Sequence, residues 1–383
     1  MTEWLIAGEA LRRLGVRPQT LYAYVSRGRV HAEPDPGDPR RSRYRASDIA
    51  ALRMRKARGR KAADVAADAI AWGEPVLSSA ITTVFDGRLY YRGRDAVRLA
   101  ETQPLESIAR LLRGGDDAAA MQRSLRPAPP TQPTMRERAF TALAARAAAS
   151  PPALGMAADR LAVEAASLLD VLADAVAGEV EGGPIHERLG RAWGCGALGM
   201  DLIRRALVLL ADHELNASTF AARVAASTGA SLSACALAGL AVLSGPLHGG
   251  MAASVTTLAD EAERAGPAET VAAHLAHWKS PPGFGHPLYP DGDPRARALL
   301  GAFVTPPPLV ALRNAVEAAT GERDNVDFAL AALAQTLRLP DDAPFALFAV
   351  ARCAGWTAHA MEQIAHGALI RPRARYVGPA PEG

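Results

Sequence analysis

The chain has 383 residues, of which 49% are apolar and 22% charged, and a formal net charge of +3. These proportions match an average soluble globular protein and exclude global disorder and a fibrous repeat. The three cysteines are widely spaced and form no zinc-binding pattern, which predicts reduced thiols in a cytoplasmic protein. The longest apolar-leaning run, 230–243, is too short to cross a membrane, which needs about 20 apolar residues.

Positive charge is concentrated near the N-terminus. Residues 1–61 hold fifteen Lys/Arg and six Asp/Glu, a net of +9, so the other 322 residues carry −6. Such a split predicts a basic module joined to a mildly acidic body. The basic module could attract nucleic acid, because phosphate neutralisation dominates that kind of affinity. A solvated basic face explains the same charge count.

The pattern within this module predicts a helix-turn-helix. Apolar residues fall at helical spacing over 7–15, Gly15 supplies a turn, and Pro18 suits the first position of a second helix. Residues 33–45 indicate a β-hairpin wing, and Ser47 begins another short helix. Residues 1–62 therefore resemble the winged helix-turn-helix domains of the MerR and excisionase type. The alternative is a domain that packs or dimerises without contacting DNA.

That resemblance implies DNA contacts from two groups of side chains. Those at the start of the recognition helix are Arg17, Gln19, Thr20 and Tyr22. Those of the wing are Arg40, Arg41, Arg43 and Arg45.

From residue 62 onward the sequence is mainly helical, since Ala, Leu and Arg dominate it. The clearest strand signal is 80–93, where Asp86-Gly87 predicts a hairpin turn between β-rich flanks. Helices are predicted over 200–211 and 221–243. The second is rich in Ala, Ser and Gly, which favours close packing of helices within or between subunits.

Candidate chemistry lies on loops and helix ends, where scaffolds usually place functional groups. His213, His248 and His286 are in the segments ADHELNAST, SGPLHGGM and PPGFGHPLYPDGDPRA, and Asp327 is in the first turn of a predicted helix. Taken singly, each histidine could be a hydrogen-bonded loop residue and Asp327 an ordinary N-terminal helix carboxylate. The histidines are 35 and 38 residues apart, which does not suit a metal site. Several histidines together with several arginines suggest a small polyanionic acid as substrate.

The ordered motifs DHELNAST, GPLHGG, GFGHPLYPDGDPRA, NVDF, ARCAGW and IRPRARYVGP, preceded by LYYRGRD, resemble the citrate synthase family. The resemblance covers residues 73–378. It implies a mainly α fold with two domains: a large helical domain, 73–251 and 329–378, and a small mobile domain, 252–328. The winged helix-turn-helix domain would precede it, and 379–383 would form a tail.

The resemblance also implies roles for individual residues. His248 would hydrogen-bond the thioester carbonyl of acetyl-CoA, Asp327 would take the methyl proton, and His286 would donate to the oxaloacetate keto oxygen. Two further groups of residues would contact substrates. Those for oxaloacetate are His213, Asn216, Arg295, Arg352 and Arg371, the last reaching into the partner subunit. Those for coenzyme A are Pro282, Gly283, Phe284 and Gly285.

The resulting expectation is a homodimeric enzyme without cofactor or metal. It would condense acetyl-CoA or propionyl-CoA with oxaloacetate to citrate or 2-methylcitrate. One departure concerns the substrate: the family commonly reads GPLHGGAN followed by an acidic residue, whereas Met251 and Ala252 stand here. Two alternatives remain, a metabolite-sensing DNA-binding regulator with little or no turnover and an interaction scaffold.

Overall fold

The computed structural model describes residues 4–14, 21, 24–25, 30–49, 77–115, 134–178, 182–277, 280–374 and 376–379. The chain divides into two compact units. One comprises residues 1–78 with 373–383, and the other comprises residues 79–372. The second unit therefore contains every residue that the sequence predicts for catalysis and substrate binding.

The first unit is built on a small antiparallel sheet. Its strands β1 (Trp4–Ile6), β2 (Ala32–Asp35) and β3 (Asp38–Arg45) lie in the order β1-β3-β2, and helix α1 (Ala7–Leu14) directly follows β1. Tyr44 lies opposite Leu5 and Ala32 and points into the core, because side chains alternate between the two faces of a strand. The predicted helix over 7–15 and the predicted hairpin over 33–45 are confirmed.

The same alternation directs the neighbouring arginines out of this core. Arg43 donates from Nε to Glu33 at 2.6 Å and stacks over Trp4, and Arg45 also stacks over Trp4. The Arg41 side chain is 80% exposed, beside Asp38 at 3.2 Å. The other predicted DNA-contacting residues, Arg17, Gln19, Thr20 and Tyr22, lie outside the described residues, as does the side chain of Arg40. The helix-turn-helix and its DNA contacts stay predictions.

The second unit begins with a three-stranded antiparallel sheet of β4 (Thr82–Phe85), β5 (Arg88–Tyr91) and β6 (Arg94–Asp95), in that order. Asp86 and Gly87 both have positive φ, 49° and 66°, as a two-residue hairpin turn matching the strand twist requires. The hairpin predicted at 80–93 is thus confirmed.

Helices make up most of the described remainder of this unit. They are α2 (Ala96–Thr102), α3 (Leu105–Arg113), α4 (Met135–Ala149), α5 (Ala158–Ala177), α6 (Ile185–Ala192), α7 (Ala197–Leu210), α8 (Ala217–Ser227), α9 (Leu232–Leu243), α10 (Met251–Ala265), α11 (Pro267–Leu275), α12 (Pro294–Leu300), α13 (Pro307–Thr320), α14 (Val326–Leu337) and α15 (Ala343–His366).

Helix α15 runs through the large hydrophobic core, and every residue from 343 to 360 is buried. A helix enclosed on all sides must pair whatever polar groups it carries. Its buried polar residues are Arg352, Thr357, His359 and Gln363. Three of these contact the loops around the candidate site or a neighbouring helix, so the core and the site share residues.

The single helix predicted over 221–243 is wrong. The segment forms two helices, α8 and α9, because Gly229 adopts φ 79° and Ser231 caps α9 by accepting a hydrogen bond from the amide of Ala234. The predicted close packing does occur within the subunit. A Cβ at Gly239 would lie 2.6 Å from the Trp356 ring, so only glycine lets α9 approach α15 this closely.

A second, smaller core joins α10, α11, α13 and α14. Its members are Val255, Leu258, Ala259, Ala262, Val271, Phe284, Leu309, Leu312, Val316, Phe328, Ala331 and Ala332. This core lies largely within the predicted small domain, whose exact boundaries stay a prediction. Among the described residues, no helix is both long enough and apolar enough to cross a membrane.

Candidate active site

The first histidine of the site follows the C-terminal end of α7. His213 is 6% exposed, and its Nε2 lies 2.9 Å from the Tyr289 hydroxyl. Its ring is perpendicular to that of His286, with centroids 5.1 Å apart. Burial, reinforced by the charges of Arg295 and Arg352, holds the pKa of His213 well below its usual value. This imidazole is therefore neutral at pH 7.

His286 lies in the segment that leads to α12. Its Nδ1 accepts a hydrogen bond from the amide of Leu288 at 3.1 Å. Burial, followed by the charge of Arg295, lowers the pKa of His286 to about 4. A neutral imidazole that accepts at Nδ1 carries its proton on Nε2. His286 is therefore a hydrogen-bond donor through Nε2.

His248 lies in the turn between α9 and α10. Its Nε2 is 2.9 Å from Ser218 Oγ, which also accepts from Trp356 Nε1 at 3.1 Å and lies 2.7 Å from Asn216 Oδ1. Burial, followed by the charge of Arg352, lowers the pKa of His248 to about 4. All three histidines named from the sequence are thus neutral near pH 7.

Two buried arginines supply positive charge. Arg295 forms a two-point pair with Asp293, Nε to Oδ1 at 3.0 Å and Nη2 to Oδ2 at 2.7 Å. Arg352 donates from Nε to the carbonyl of Leu210 at 2.9 Å, but its buried Nη1 has no hydrogen-bond partner. Burial lowers the pKa of Arg352 to about 10, so it stays charged near neutral pH. Arg352 therefore keeps a donor for a ligand, whereas two nitrogens of Arg295 already donate to Asp293.

Asp327 occupies the first turn of α14. The cap of this helix, Asn325, accepts a hydrogen bond from the Asp327 amide at 3.0 Å. The carboxyl Oδ1 is enclosed and has no hydrogen-bond partner. Burial raises the pKa of Asp327 to about 7, against the opposing charges of Arg295 and Arg352. An unpartnered carboxyl with a pKa near 7 is well suited to exchange a proton with a ligand.

The loop around Gly283 and Gly285 is tied to the start of α14. The amide of Gly285 donates to Arg323, the amide of Asn325 donates to Gly283 at 2.9 Å, and the Asn325 side chain donates to Gly285 at 3.1 Å. Phe284 packs on Phe328 with ring centroids 5.2 Å apart. The predicted coenzyme A loop, 282–285, and the predicted base therefore belong to one connected substructure.

The structure thus brings six predicted residues into one electrostatic cluster. The charges of Arg295 and Arg352 act on His213 and Asp327, that of Arg352 on His248 and that of Arg295 on His286. Loops carry the three histidines, and helices α12, α14 and α15 carry Arg295, Asp327 and Arg352. Their assembly is the geometric condition for shared chemistry.

Two predicted oxaloacetate residues are placed differently. The Asn216 side chain caps α8, accepting from the amide of Thr219 and donating to the carbonyl of His213 at 3.2 Å. Arg371 lies exposed in the segment after α15, and no hydrogen bond or ion pair holds it among the described residues. Its contribution to a partner subunit stays a prediction.

Sequence reasoning missed residues that orient the site. Ser218 contacts His248 and accepts a hydrogen bond from Trp356, Tyr289 contacts His213, and Asp293 fixes Arg295. All four lie inside the quoted motifs, so they could have been singled out there. The roles of Ser218, Trp356 and Tyr289 depend on contacts between distant segments, which no spacing rule reveals. Asp293 is different, because it lies two residues before Arg295. In the described part of the chain, no group of three or more His, Cys, Asp or Glu could hold a metal ion.

The sequence matches a family described as citrate synthase, C-terminal domain, over residues 128–373. The chain belongs to the citrate synthase family. Citrate synthase 2 of Bacillus subtilis is 37% identical over 191 residues, covering 47% of this chain and 51% of that protein. The 2-methylcitrate synthase of Shewanella oneidensis is 35% identical over 196 residues, 48% of this chain and 52% of that protein. The chain spans about half the length of each of these relatives.

Solved citrate synthases share the fold over a longer stretch. The Thermotoga maritima citrate synthase has a TM-score of 0.69 at 27% identity, covering 81% of this chain and 96% of that one. A ternary complex of carboxymethyl coenzyme A and oxaloacetate with the Thermoplasma acidophilum citrate synthase has a TM-score of 0.64 at 24% identity, covering 80% and 95%. The predicted mainly helical citrate synthase fold is confirmed.

Proposed function

We propose that this chain condenses an acyl-CoA with oxaloacetate, giving citrate from acetyl-CoA or 2-methylcitrate from propionyl-CoA, together with free coenzyme A. One observation carries the proposal. Beside neutral imidazoles, the site holds two enclosed polar atoms without partners, Asp327 Oδ1 and Arg352 Nη1. A buried polar group without a partner costs stability, so its retention supports a ligand that satisfies it.

Asp327 is the proposed base. The proton next to a thioester carbonyl is weakly acidic, and a carboxylate with a pKa of about 7 is a stronger base than an ordinary one. Removal of this proton converts the thioester to its enol form as charge moves onto the carbonyl oxygen. A donor at that oxygen lowers the barrier by stabilising the developing charge.

His248 is the proposed donor to the thioester oxygen. It must carry its ring proton on Nδ1, which requires Ser218 to donate to Nε2. Ser218 has one proton and two acceptors for it, His248 Nε2 at 2.9 Å and Asn216 Oδ1 at 2.7 Å. Rotation of the hydroxyl proton selects between them. Asn216 Oδ1 keeps the amide of Thr219 in either case.

His286 and the arginines are the proposed binding groups for oxaloacetate. His286 Nε2 donates a hydrogen bond that polarises the keto group attacked by the enol. As the new carbon–carbon bond forms, this oxygen takes up one proton, which balances the proton that Asp327 removed. Arg352 Nη1 donates to a carboxylate of oxaloacetate, and His213 contacts the same oxaloacetate molecule. Water then cleaves the thioester of the condensed product and releases the thiol, with no change in oxidation state and no cofactor. Closure of the small domain would keep water out until condensation is complete.

The named relatives support the reaction class. They include a citrate synthase and a 2-methylcitrate synthase, and the Thermoplasma acidophilum structure holds a coenzyme A analogue with oxaloacetate. Met251 and Ala252 leave the choice of acyl-CoA open. A homodimer in which Arg371 completes the partner's site belongs to the same proposal. The free thiols Cys195, Cys235 and Cys353 support a reducing, cytoplasmic setting.

Thiol release by the purified chain tests this function. Oxaloacetate is supplied with acetyl-CoA or propionyl-CoA, and the product is identified by mass spectrometry. We expect thiol release that depends on oxaloacetate. A reaction mixture without oxaloacetate is the control, because thiol release there would indicate simple thioester hydrolysis. No oxaloacetate-dependent release with either acyl-CoA would refute the proposal.

A regulatory role is the second candidate, and the basic first unit favours it. Residues 1–61 carry a net charge of +9, and the Arg41 side chain in β3 is 80% exposed. The test is retardation of mixed-sequence duplex DNA by the full chain over a salt series, with and without oxaloacetate. Regulation requires that DNA binding respond to oxaloacetate. An absence of retardation at low salt removes this candidate and leaves the enzyme proposal intact.

A further inference from the structure

A buried contact between a histidine and an aspartate lies directly behind the loop that carries His213. Asp212 and His359 are both completely buried, and His359 Nε2 lies 3.1 Å from Asp212 Oδ2. Asp212 precedes His213 in the chain, whereas His359 lies far away in sequence on α15. The pair therefore connects the core helix to the segment that presents a site histidine.

The surroundings of His359 define its tautomer. Its Nδ1 faces Arg223 Nη1 at 3.5 Å, and Arg223 is held by Glu362 at 2.6 Å and by Gln363 at 3.0 Å. A guanidinium can only donate, so Nδ1 is the acceptor and the imidazole proton is on Nε2. His359 therefore donates to Asp212, and a chain of polar contacts runs from Glu362 to the loop before His213.

The backbone that leads to Asp212 is fixed as well. The Tyr91 hydroxyl donates to the carbonyl of Val208 at 2.9 Å and lies 3.3 Å from the carbonyl of Asp212. Arg352 Nε donates to the carbonyl of Leu210. The amide of Gly355 donates to the carbonyl of Ala211 at 3.1 Å. A Cβ at Gly355 would lie 2.3 Å from Asp212 Oδ1, so α15 approaches the loop as closely as glycine permits. These hydrogen bonds are all accepted by backbone carbonyl groups, whereas the contact to His359 is made through the Asp212 side chain.

We propose that His359 is a positioning residue for His213, acting through Asp212. This inference rests on the proposed function where it concerns oxaloacetate. His359 is completely buried, so we assign it no part in the chemistry. It orients the loop so that the His213 ring meets Tyr289 and His286 at the distances observed. Loss of the Asp212 contact should impair oxaloacetate binding more than acyl-CoA binding.

Two amide side chains distinguish this role from general stabilisation. In His359→Gln the amide nitrogen takes the place of Nε2 and can still donate to Asp212. In His359→Asn the shorter side chain reaches only the place of Nδ1, so the contact is lost while a buried amide remains. Asp170→Asn is the matched control, because it disrupts the buried contact of Asp170 with Arg188 at 2.5 Å, on α5 and α6.

Steady-state kinetics and hydrogen–deuterium exchange give two independent measurements. We expect His359→Asn to raise the KM for oxaloacetate roughly tenfold, since small displacements of positioning groups have large effects. The KM for acyl-CoA should stay within twofold. Exchange in peptides covering 208–216 should increase in the ligand-free protein. His359→Gln should keep the wild-type KM for oxaloacetate and the wild-type exchange in 208–216, and Asp170→Asn should change neither.

Equal effects of the Gln and Asn variants, or parallel increases in both KM values, would overturn the proposal. So would unchanged exchange in 208–216. If the wild-type chain releases no thiol, the proposed function fails, yet exchange still decides whether His359 holds the loop. If His359→Asn does not fold, nitrogen NMR of the histidine-labelled wild-type chain decides, because a His359 protonated on Nδ1 alone contradicts the proposal.

Discussion

Two aspartates show how the groups around a carboxyl lead to different chemistry. Asp212 contacts His359 at 3.1 Å, and although burial alone would raise its pKa, His359, Arg352 and Thr82 together lower it. The carboxyl of Asp327 accepts no hydrogen bond from the described residues, and burial raises its pKa to about 7. The partner, rather than burial, decides the protonation state. The carboxylate that contacts His359 serves the fold, and the one without a hydrogen-bond partner is available for a ligand.

The largest expected effect concerns turnover. Asp327→Asn should lower kcat for condensation about a thousandfold, because general base catalysis contributes roughly 10²–10⁴-fold. Oxaloacetate-dependent thiol release measures it. Asp159→Asn is a matched control, since Asp159 also lies in the first turn of its helix, α5, but is exposed. Near-normal turnover in Asp327→Asn would remove Asp327 as the base.

The two aspartates should have opposite effects on the free energy of unfolding at pH 8. Asp212→Asn should lower it by about 3–5 kcal/mol, because His359 and Arg352 lose a buried anion. Asp327→Asn should raise it by roughly 1–2 kcal/mol. This is well below the free energy that corresponds to the whole pKa difference, because the residue retains partial solvent access. Urea unfolding of the ligand-free proteins measures both. Changes of equal sign would contradict the comparison.

The sign of the Asp327 effect also fixes its pH dependence. Its pKa is 3.8 in the unfolded chain and about 7 when folded, so between these values the folded state binds the extra proton. The cost of ionising Asp327 therefore grows as pH rises from about 4 to 7 and is absent below that window. The stability difference between Asp327→Asn and wild type should follow this course. A difference that is constant from pH 4 to 8 would argue against the raised pKa.

Activity should depend on pH through the same group. Condensation should increase as pH rises through about 7, when Asp327 becomes a base. His248 and His286 have pKa values of about 4, so they stay neutral over that range and add no second step there. The pH profile of kcat/KM for acyl-CoA measures this. A midpoint near 4 would assign the base to an ordinary carboxylate.

The smallest expected effect concerns acyl-CoA choice. Met251 begins α10 three residues after His248, and its amide donates to the His248 carbonyl at 3.2 Å. Met251→Ala should shift the ratio of kcat/KM values roughly threefold towards propionyl-CoA, because a smaller side chain makes room for one more methylene. The KM for oxaloacetate should not change. A shift towards acetyl-CoA would show that Met251 does not limit acyl size.

Local rules predicted the elements whose signals lie within a few residues. The Asp86-Gly87 turn needed only its two residues, and α1 needed only the spacing of its apolar positions. The same rules failed at Gly229, where one glycine followed by a serine cap divides a long apolar segment into α8 and α9. Helical propensity was high on both sides, so composition did not show the break.

The sequence by itself determined the kinds of chemical group in the site, because the ordered motifs name the histidines, the arginines and Asp327 directly. Tertiary structure alone decided which of them are paired. His213 meets Tyr289, His248 meets Ser218, and Arg352 and Asp327 keep polar atoms without partners. The role of His359 is of the same kind. Desolvation and hydrogen bonding depend on which distant segments meet, and that information exists only once the chain has folded.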